Sequence, residues 1–171
     1  MRYGIIADIH GNLEALEAVL AALATEKLTA LLVAGDEIGY GADPLACLKR
    51  LRQAADVHIA GNHDWAAEKF PPSLFSSLAH AALLWTRTQL ADDEKDYLHR
   101  LPLVYQNDDL VMVHGTLDQP GEFQYLESES DAAATFALME RKICFVGHTH
   151  VPEVFCQKGT TICPVPLTED V

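Results

Sequence analysis

Five short fragments hold most of the residues that could do chemistry: Asp8-Ile9-His10, Gly35-Asp36, Gly61-Asn62-His63-Asp64, His114-Gly115 and Gly147-His148-Thr149-His150. Five of the eight histidines lie in them. The mixture is carboxylate, imidazole and one amide, with no thiolate. Such donors suit hard or borderline divalent ions: Mn, Fe, Zn, Co, Ni or Mg. About seven ligand side chains are too many for one tetrahedral zinc and suit two ions sharing a bridging carboxylate. Residues 61–64 form the densest fragment. The glycine lets the backbone turn and approach closely. The Asn62 amide oxygen can bind a hard cation. The His63 imidazole can ligate, donate or accept a proton, and the Asp64 carboxylate can ligate or orient that imidazole.

Each fragment has a commonplace reading when taken alone. Asp-x-His after a strand is more often a turn, Gly-Asp is a common loop dipeptide, and a lone histidine is often a satisfied core residue. Together they end five separate apolar segments, and chance rarely concentrates ligand side chains in that way. His58, His80 and His99 lack such company and read as structural or surface residues.

The elements that must position these fragments follow from periodicity. Residues 2–7 form a strand that stops at Asp8. Leu13, Leu16, Leu20 and Leu23 share one helical face, with Asn12 as N-cap. Residues 30–34 form a buried strand running into the Gly35–Gly41 loop. Asp43-Pro44 opens a helix over about 44–55. Residues 57–60 form a strand leading into the tetrapeptide, expected as a loop. The resulting βαβαβ order predicts an α/β fold with a mostly parallel sheet. Residues 65–100 read as helical, broken at Pro71-Pro72, with runs over 73–90 and from Asp92 to Arg100. A hairpin of 103–105 and 110–113 predicts a second, mixed sheet. Residues 118–130 read as loop, 131–140 as helix and 143–146 as strand. A last hairpin turns at Lys158-Gly159. With no repeat and no linker, residues 1–171 are expected to form a single domain.

Composition narrows the function. The 171 residues are 49% hydrophobic, enough for one real core. No apolar run approaches a membrane span, and the N-terminus reads as a strand rather than a signal peptide. The four cysteines form no Cys-x-x-Cys pair, which points to reduced thiols and a cytoplasmic location. A net charge of −13 without a basic cluster argues against a nucleic-acid polymer as partner. A phosphate substrate would need bound cations to attract it. No Gly-x-Gly-x-x-Gly or Walker-type loop is present, so a Rossmann-type or P-loop nucleotide binder is disfavoured.

The five fragments, in this order and without substitution, resemble the calcineurin-like metallophosphoesterases. The similarity runs from residue 3 to about 157. The segment Gly35-Asp36-Glu37-Ile38-Gly39-Tyr40-Gly41 is similar to the small prokaryotic branch, which includes phosphodiesterases and dinucleoside polyphosphatases. It is unlike the Ser/Thr protein phosphatases, which carry Asp-Arg-Gly there and Gly-Asn-His-Glu later. The resemblance implies a four-layer αββα sandwich of two mixed β-sheets flanked by helices. It implies two divalent metal ions, manganese first. Asp8, His10 and His150 would hold one, Asn62, His114 and His148 the other, and Asp36 would bridge both. The implied reaction is hydrolysis of a phosphodiester or phosphomonoester by a metal-bound hydroxide. His63 would be the catalytic histidine and Asp64 its partner, the carboxylate raising the imidazole pKa and fixing its orientation. The partner is a small phosphate ester, a nucleotide being one candidate.

Longer members of the branch continue past the last hairpin with an Asn-Pro-Gly-Ser segment, which this sequence lacks. The expectation is therefore a short second sheet with an exposed edge, open to pairing in a homodimer. The competing functional reading is a non-catalytic metal-binding scaffold of the same fold; the presence of His63 weighs against it. Residues that read the substrate are expected in the 37–43 loop, the 65–100 helices and the 116–127 loop.

Overall fold

The computed structural model describes residues 1–67 and 75–166. The first half is the expected βαβαβ unit: β1 (Tyr3–Ile6), α1 (Leu13–Leu23), β2 (Ala30–Val33), α2 (Pro44–Ala54) and β3 (Val57–His58). The three strands are parallel, in the order β1-β2-β3, with Tyr3 opposite Ala30 and Leu32 opposite Val57. Asn12 caps α1, its side chain accepting from the Ala15 N–H at 3.0 Å. Asp43 makes no such bond, and Pro44 alone sets the entry to α2.

Both faces of this sheet are covered. Leu16 and Leu20 of α1, with Cys47 and Leu51 of α2, pack on Leu31 and Val33. Leu32, Ala34 and Ile59 pack on Leu110 and Met112, which belong to the second sheet or its edge. That sheet has β4 (Val104–Gln106) antiparallel to β5 (Val111–Val113), and β6 (Cys144–Phe145) parallel to β5. A third core of Ile38, Leu48, Ala67, Leu90 and Leu98 joins α2 to the helices α3 (Asn62–Ala66), α4 (Ser77–Gln89) and α5 (Asp92–His99). The result is a mixed α/β fold with helix, parallel sheet and mixed sheet layered in turn.

Several expectations are corrected. The two mixed sheets resolve into one parallel sheet, one mixed sheet and a separate hairpin of β7 (Phe155–Lys158) and β8 (Thr161–Pro164). Between β6 and the hairpin, His148 and His150 take φ of 72° and 57°. The tetrapeptide is no loop: α3 starts at Asn62, within it. The helix expected over 131–140 is α6 (Glu129–Leu138), begun earlier because Ser128 accepts from the Asp131 N–H at 3.3 Å. The 118–130 loop contains a 3-10 turn at Pro120–Glu122. The Pro71-Pro72 break lies outside the described residues. Among those residues, no helix is long and apolar enough to cross a membrane.

Candidate metal centre

Five strand ends converge. β1 delivers Asp8 and His10, β2 delivers Asp36, and β3 leads to Asn62 and His63. β5 delivers His114, and β6 delivers His148 and His150. Backbone bonds stitch the loops together: Asp8 N–H to Gly35 O at 3.0 Å, His10 N–H to Asp36 O at 3.0 Å and Gly147 N–H to His114 O at 2.9 Å. The stitching holds a strained backbone. Asp8, His10, Asp36, His148 and His150 have φ of 54°, 49°, 55°, 72° and 57°. Left-handed backbone costs an L-residue about 1–2 kcal/mol, and such strain gathers where a site needs its side chains aimed.

The aim is inward. Asp36 Oδ1 accepts from the His63 N–H at 2.9 Å, leaving Oδ2 between His10 Nε2 at 3.6 Å and His114 Nε2 at 3.4 Å. Asp8 Oδ1 lies 3.3 Å from His150 Nε2 and 3.9 Å from the same two imidazoles. Two backbone carbonyls set the tautomers. His10 Nδ1 is 3.0 Å from Ile38 O, and His114 Nδ1 is 2.7 Å from Ala34 O. A carbonyl only accepts, so each Nδ1 carries a proton, and Nε2 is the nitrogen that faces the centre and would ligate in the neutral ring.

Ring nitrogens and oxygens crowd the centre: His10 Nε2 is 3.0 Å from His150 Nε2, and His114 Nε2 is 3.2 Å from Asn62 Oδ1. His148 Nε2 is buried with no hydrogen-bond partner among the described residues. This convergence of imidazole, carboxylate and amide atoms fits cations. Asp8, His10 and His150 form one group able to hold an ion, and Asp36, His114 and His148 form another. A third grouping, His10, Asp36 and His63, shows that the His63 ring also reaches the centre.

The electrostatics agree. Burial works against the charge on His114, but Asp36 and Asp8 more than offset it and push the imidazole up to about 9. Burial likewise opposes the Asp36 charge, yet His114 and its neighbours hold that carboxyl well below the usual range. The centre attracts positive charge. Asp8 is raised, by burial first. His148 falls to about 4 through burial, then repulsion from His114.

The pairing of His63 with Asp64 is not made. The Asp64 oxygens accept from four backbone N–H groups: Asp36 at 2.7 Å, Glu37 at 3.0 Å, Ile38 at 3.3 Å and Gly61 at 3.0 Å. Asp64 is a brace that ties the loop after β2 to the start of α3. His63 Nδ1 is buried without a hydrogen-bond partner among the described residues. Its pKa is not raised as expected; burial pushes it down to about 4. The ring is positioned by contact instead. It packs at 4.9 Å on Phe75, 4.8 Å on His10 and 4.7 Å on Tyr40, measured between centroids. Gly39, at φ +99°, lies where a Cβ would strike His63 Nδ1. Gly61 lies where a Cβ would strike Asp36 Oδ1.

Sequence reasoning assigned no contacts in the mouth of the site. Its lining includes Tyr40, Phe75, Glu122, Tyr125, Glu127 and Asp131, all from the segments expected to read the substrate except Asp131 on α6. Glu37 was also missed. It is wholly buried, and its Oε1 lies 2.6 Å from His58 Nδ1, which gives His58 the structural role expected of it.

The comparisons with known proteins agree with this geometry. The crystal structure of a metallophosphoesterase from Sphaerobacter thermophilus is 37% identical, with a TM-score of 0.76, over 90% of this chain and 62% of that one. A protein of Pyrococcus horikoshii OT3, at 21% identity, shares the fold with a TM-score of 0.72 over 88% of this chain and 70% of that one. An uncharacterised protein of Methanocaldococcus jannaschii is 29% identical over 164 residues, 92% of this chain and 66% of that protein. The chain thus spans a little under two thirds of the length of the first and last of these relatives. The model of the calcineurin-like phosphoesterase superfamily domain matches residues 1–165, a span that takes in every strand end described above, and the chain belongs to that superfamily.

Proposed function

We propose that this protein hydrolyses a phosphate ester at a centre of two divalent cations, manganese being the first candidate. The observation that carries the reading is Asp36: its Oδ2 sits between His10 Nε2 and His114 Nε2, one from each ligand group. Asp8, His10 and His150 would hold one cation, Asn62, His114 and His148 the other, with Asp36 shared. When bound, the cations offset the negative charge of the phosphate and acidify the attacking water. The protein's own contribution is aim. The carbonyls of Ile38 and Ala34 fix two tautomers, and Asp64 fixes the loop that carries Asp36. His63 lines the mouth and reaches the centre without being needed by either ligand group. Burial keeps it neutral at rest. An anionic phosphate beside it favours the imidazolium, which then has a proton for the leaving oxygen.

The test is hydrolysis of bis(p-nitrophenyl) phosphate and p-nitrophenyl phosphate with manganese and with a chelator. Turnover that manganese supports and chelation abolishes is the expected result. His63→Ala should lower the rate while metal stays bound, separating an enzyme from a metal-binding scaffold. If metal-replete protein turns over neither ester, the hydrolase reading fails.

A further inference from the structure

The mouth above the ligand groups has features that hydrolysis alone does not require. It is a cavity of about 690 Å³. Tyr125 stacks on His148 there, with centroids 4.0 Å apart and planes 20° apart. One face of the phenol ring is covered by the imidazole, yet the residue is 54% exposed, so its other face is open to solvent. Tyr40 packs against His10 and His63, each at 4.7 Å, and is 46% exposed. Two partly exposed aromatic rings, each backed by an imidazole of the site, stand ready to stack on something planar. The charges at the rim are all negative. Glu122, Glu127 and Asp131 line the mouth, and no lysine or arginine does so among the described residues. Asp131 is kept ionised by the Ser128 hydroxyl at 2.6 Å and the Glu127 N–H at 3.2 Å.

We propose that this mouth selects a phosphate ester of low charge that carries a planar ring, a nucleobase or an aryl group, with the ring resting on the open faces of Tyr40 and Tyr125, and that it disfavours polyphosphates. The inference rests on the phosphate-ester reading above. Two divalent cations set against Asp8 and Asp36 leave positive charge for a single phosphate group. A second or third phosphate would extend from the cations toward three carboxylates, with no basic side chain among the described residues of the lining to meet it. The ring supplies affinity that the rim charge does not oppose, because stacking is indifferent to charge on the far side of the ester.

The experiment is calorimetric titration of the manganese-saturated protein with four probes: inorganic phosphate, ribose 5-phosphate, AMP and ATP. AMP should bind about tenfold more tightly than ribose 5-phosphate, the gain of one stacked base, and ATP no more tightly than AMP. Tyr125→Leu should erase the AMP advantage and leave ribose 5-phosphate unchanged, whereas Tyr125→Phe should keep it. Glu122→Gln with Glu127→Gln should improve ATP binding several-fold and leave AMP unchanged. Equal affinities for AMP and ribose 5-phosphate, or an unaltered AMP affinity in Tyr125→Leu, overturn the ring selection and leave the phosphate-ester reading standing. ATP binding well above AMP overturns the charge selection. Failure of the manganese-saturated protein to bind inorganic phosphate at all overturns the phosphate-ester reading, and this one with it.

Discussion

The ligand groups and the mouth above them are built on opposite principles. Below, each side chain is fixed through the backbone: left-handed residues aim it, carbonyls set its tautomer, and glycines at 39 and 61 leave it no room to move. Above, the rim tyrosines are placed by ring contact and are half open to solvent, with Tyr125 lying on His148 and Tyr40 on His63. The geometry of the lower region is shared among loops. The upper region can change residue by residue without moving the backbone. The difference makes graded predictions, and each is a way to break the contrast.

The largest effect belongs to Asp36→Asn. The change removes the charge between the two imidazoles and leaves a neutral oxygen in its place. Metal binding should fall and hydrolysis drop by about a thousandfold or more, measured by metal content and initial rates. A variant that kept two metals and full activity would end the shared-ligand reading. Gly39→Ala should come next. A methyl group there meets the His63 ring, and the φ of +99° is costly for alanine. The rate should fall about a hundredfold with metal content unchanged, because the displaced ring is outside both ligand groups.

Asp64→Asn tests the brace. Asparagine offers one acceptor oxygen where the carboxylate serves four N–H groups, and its amide adds a donor facing donors. Unfolding should be easier by about 2–3 kcal/mol, measured in denaturant. A purely catalytic Asp64 would instead lower the rate and leave stability alone.

The candidate ligands were legible in the sequence because their side-chain types and their places after apolar runs were enough. Asp8, His10, Asp36, Asn62, His114, His148 and His150 come together at one centre. The first five elements were legible for the same reason, since α1 and β2 carry clean periodic patterns. The role of Asp64 was not, because three of its four partners are backbone groups 26 to 28 residues away, and backbone N–H groups leave no trace in residue type. Tyr125 sits in a segment without periodicity and contacts His148 across a topology that local patterns do not encode. The β7–β8 hairpin was legible from its turn at Lys158-Gly159, whereas its standing as a sheet of its own was not, because sheet membership depends on pairing between distant segments.

pH offers a milder test of the lower region. In chelated protein, His63 and His148 are both pushed down to about 4 by burial, against an ordinary value of 6.5. Between those values the unfolded chain binds protons that the folded chain does not. The contribution of these two histidines should therefore rise as pH increases from about 4 to 6.5, by at most about 1.4 kcal/mol per pH unit each, while the raised carboxyls of Asp8 and Asp64 contribute in the opposite sense. His63→Gln should flatten that slope over the same window, read from unfolding midpoints. His114, pushed up to about 9, contributes in the other sense: its stabilisation is full below 6.5 and lost as pH rises through 9. An unchanged slope in His63→Gln would mean that the ring is not held neutral by burial.

The smallest expected effects separate strain from exposure. His150 is half exposed and held at φ 57°. Replacing it with glycine relieves about 1–2 kcal/mol of backbone strain and adds about 0.5–1 kcal/mol of chain entropy to the unfolded state. The chelated variant should be as stable as the parent or slightly more so, while its manganese affinity falls. Tyr125→Leu, on the exposed rim, should leave stability within about 0.5 kcal/mol and metal affinity untouched. The two substitutions differ in which property moves, and that is the sharpest form of the contrast. A position that held a cation in this way would give up stability to do so, and removing its side chain would return it. A rim position holds no strained backbone and no ligand atom, so removing its ring should register only when something planar is there to be bound.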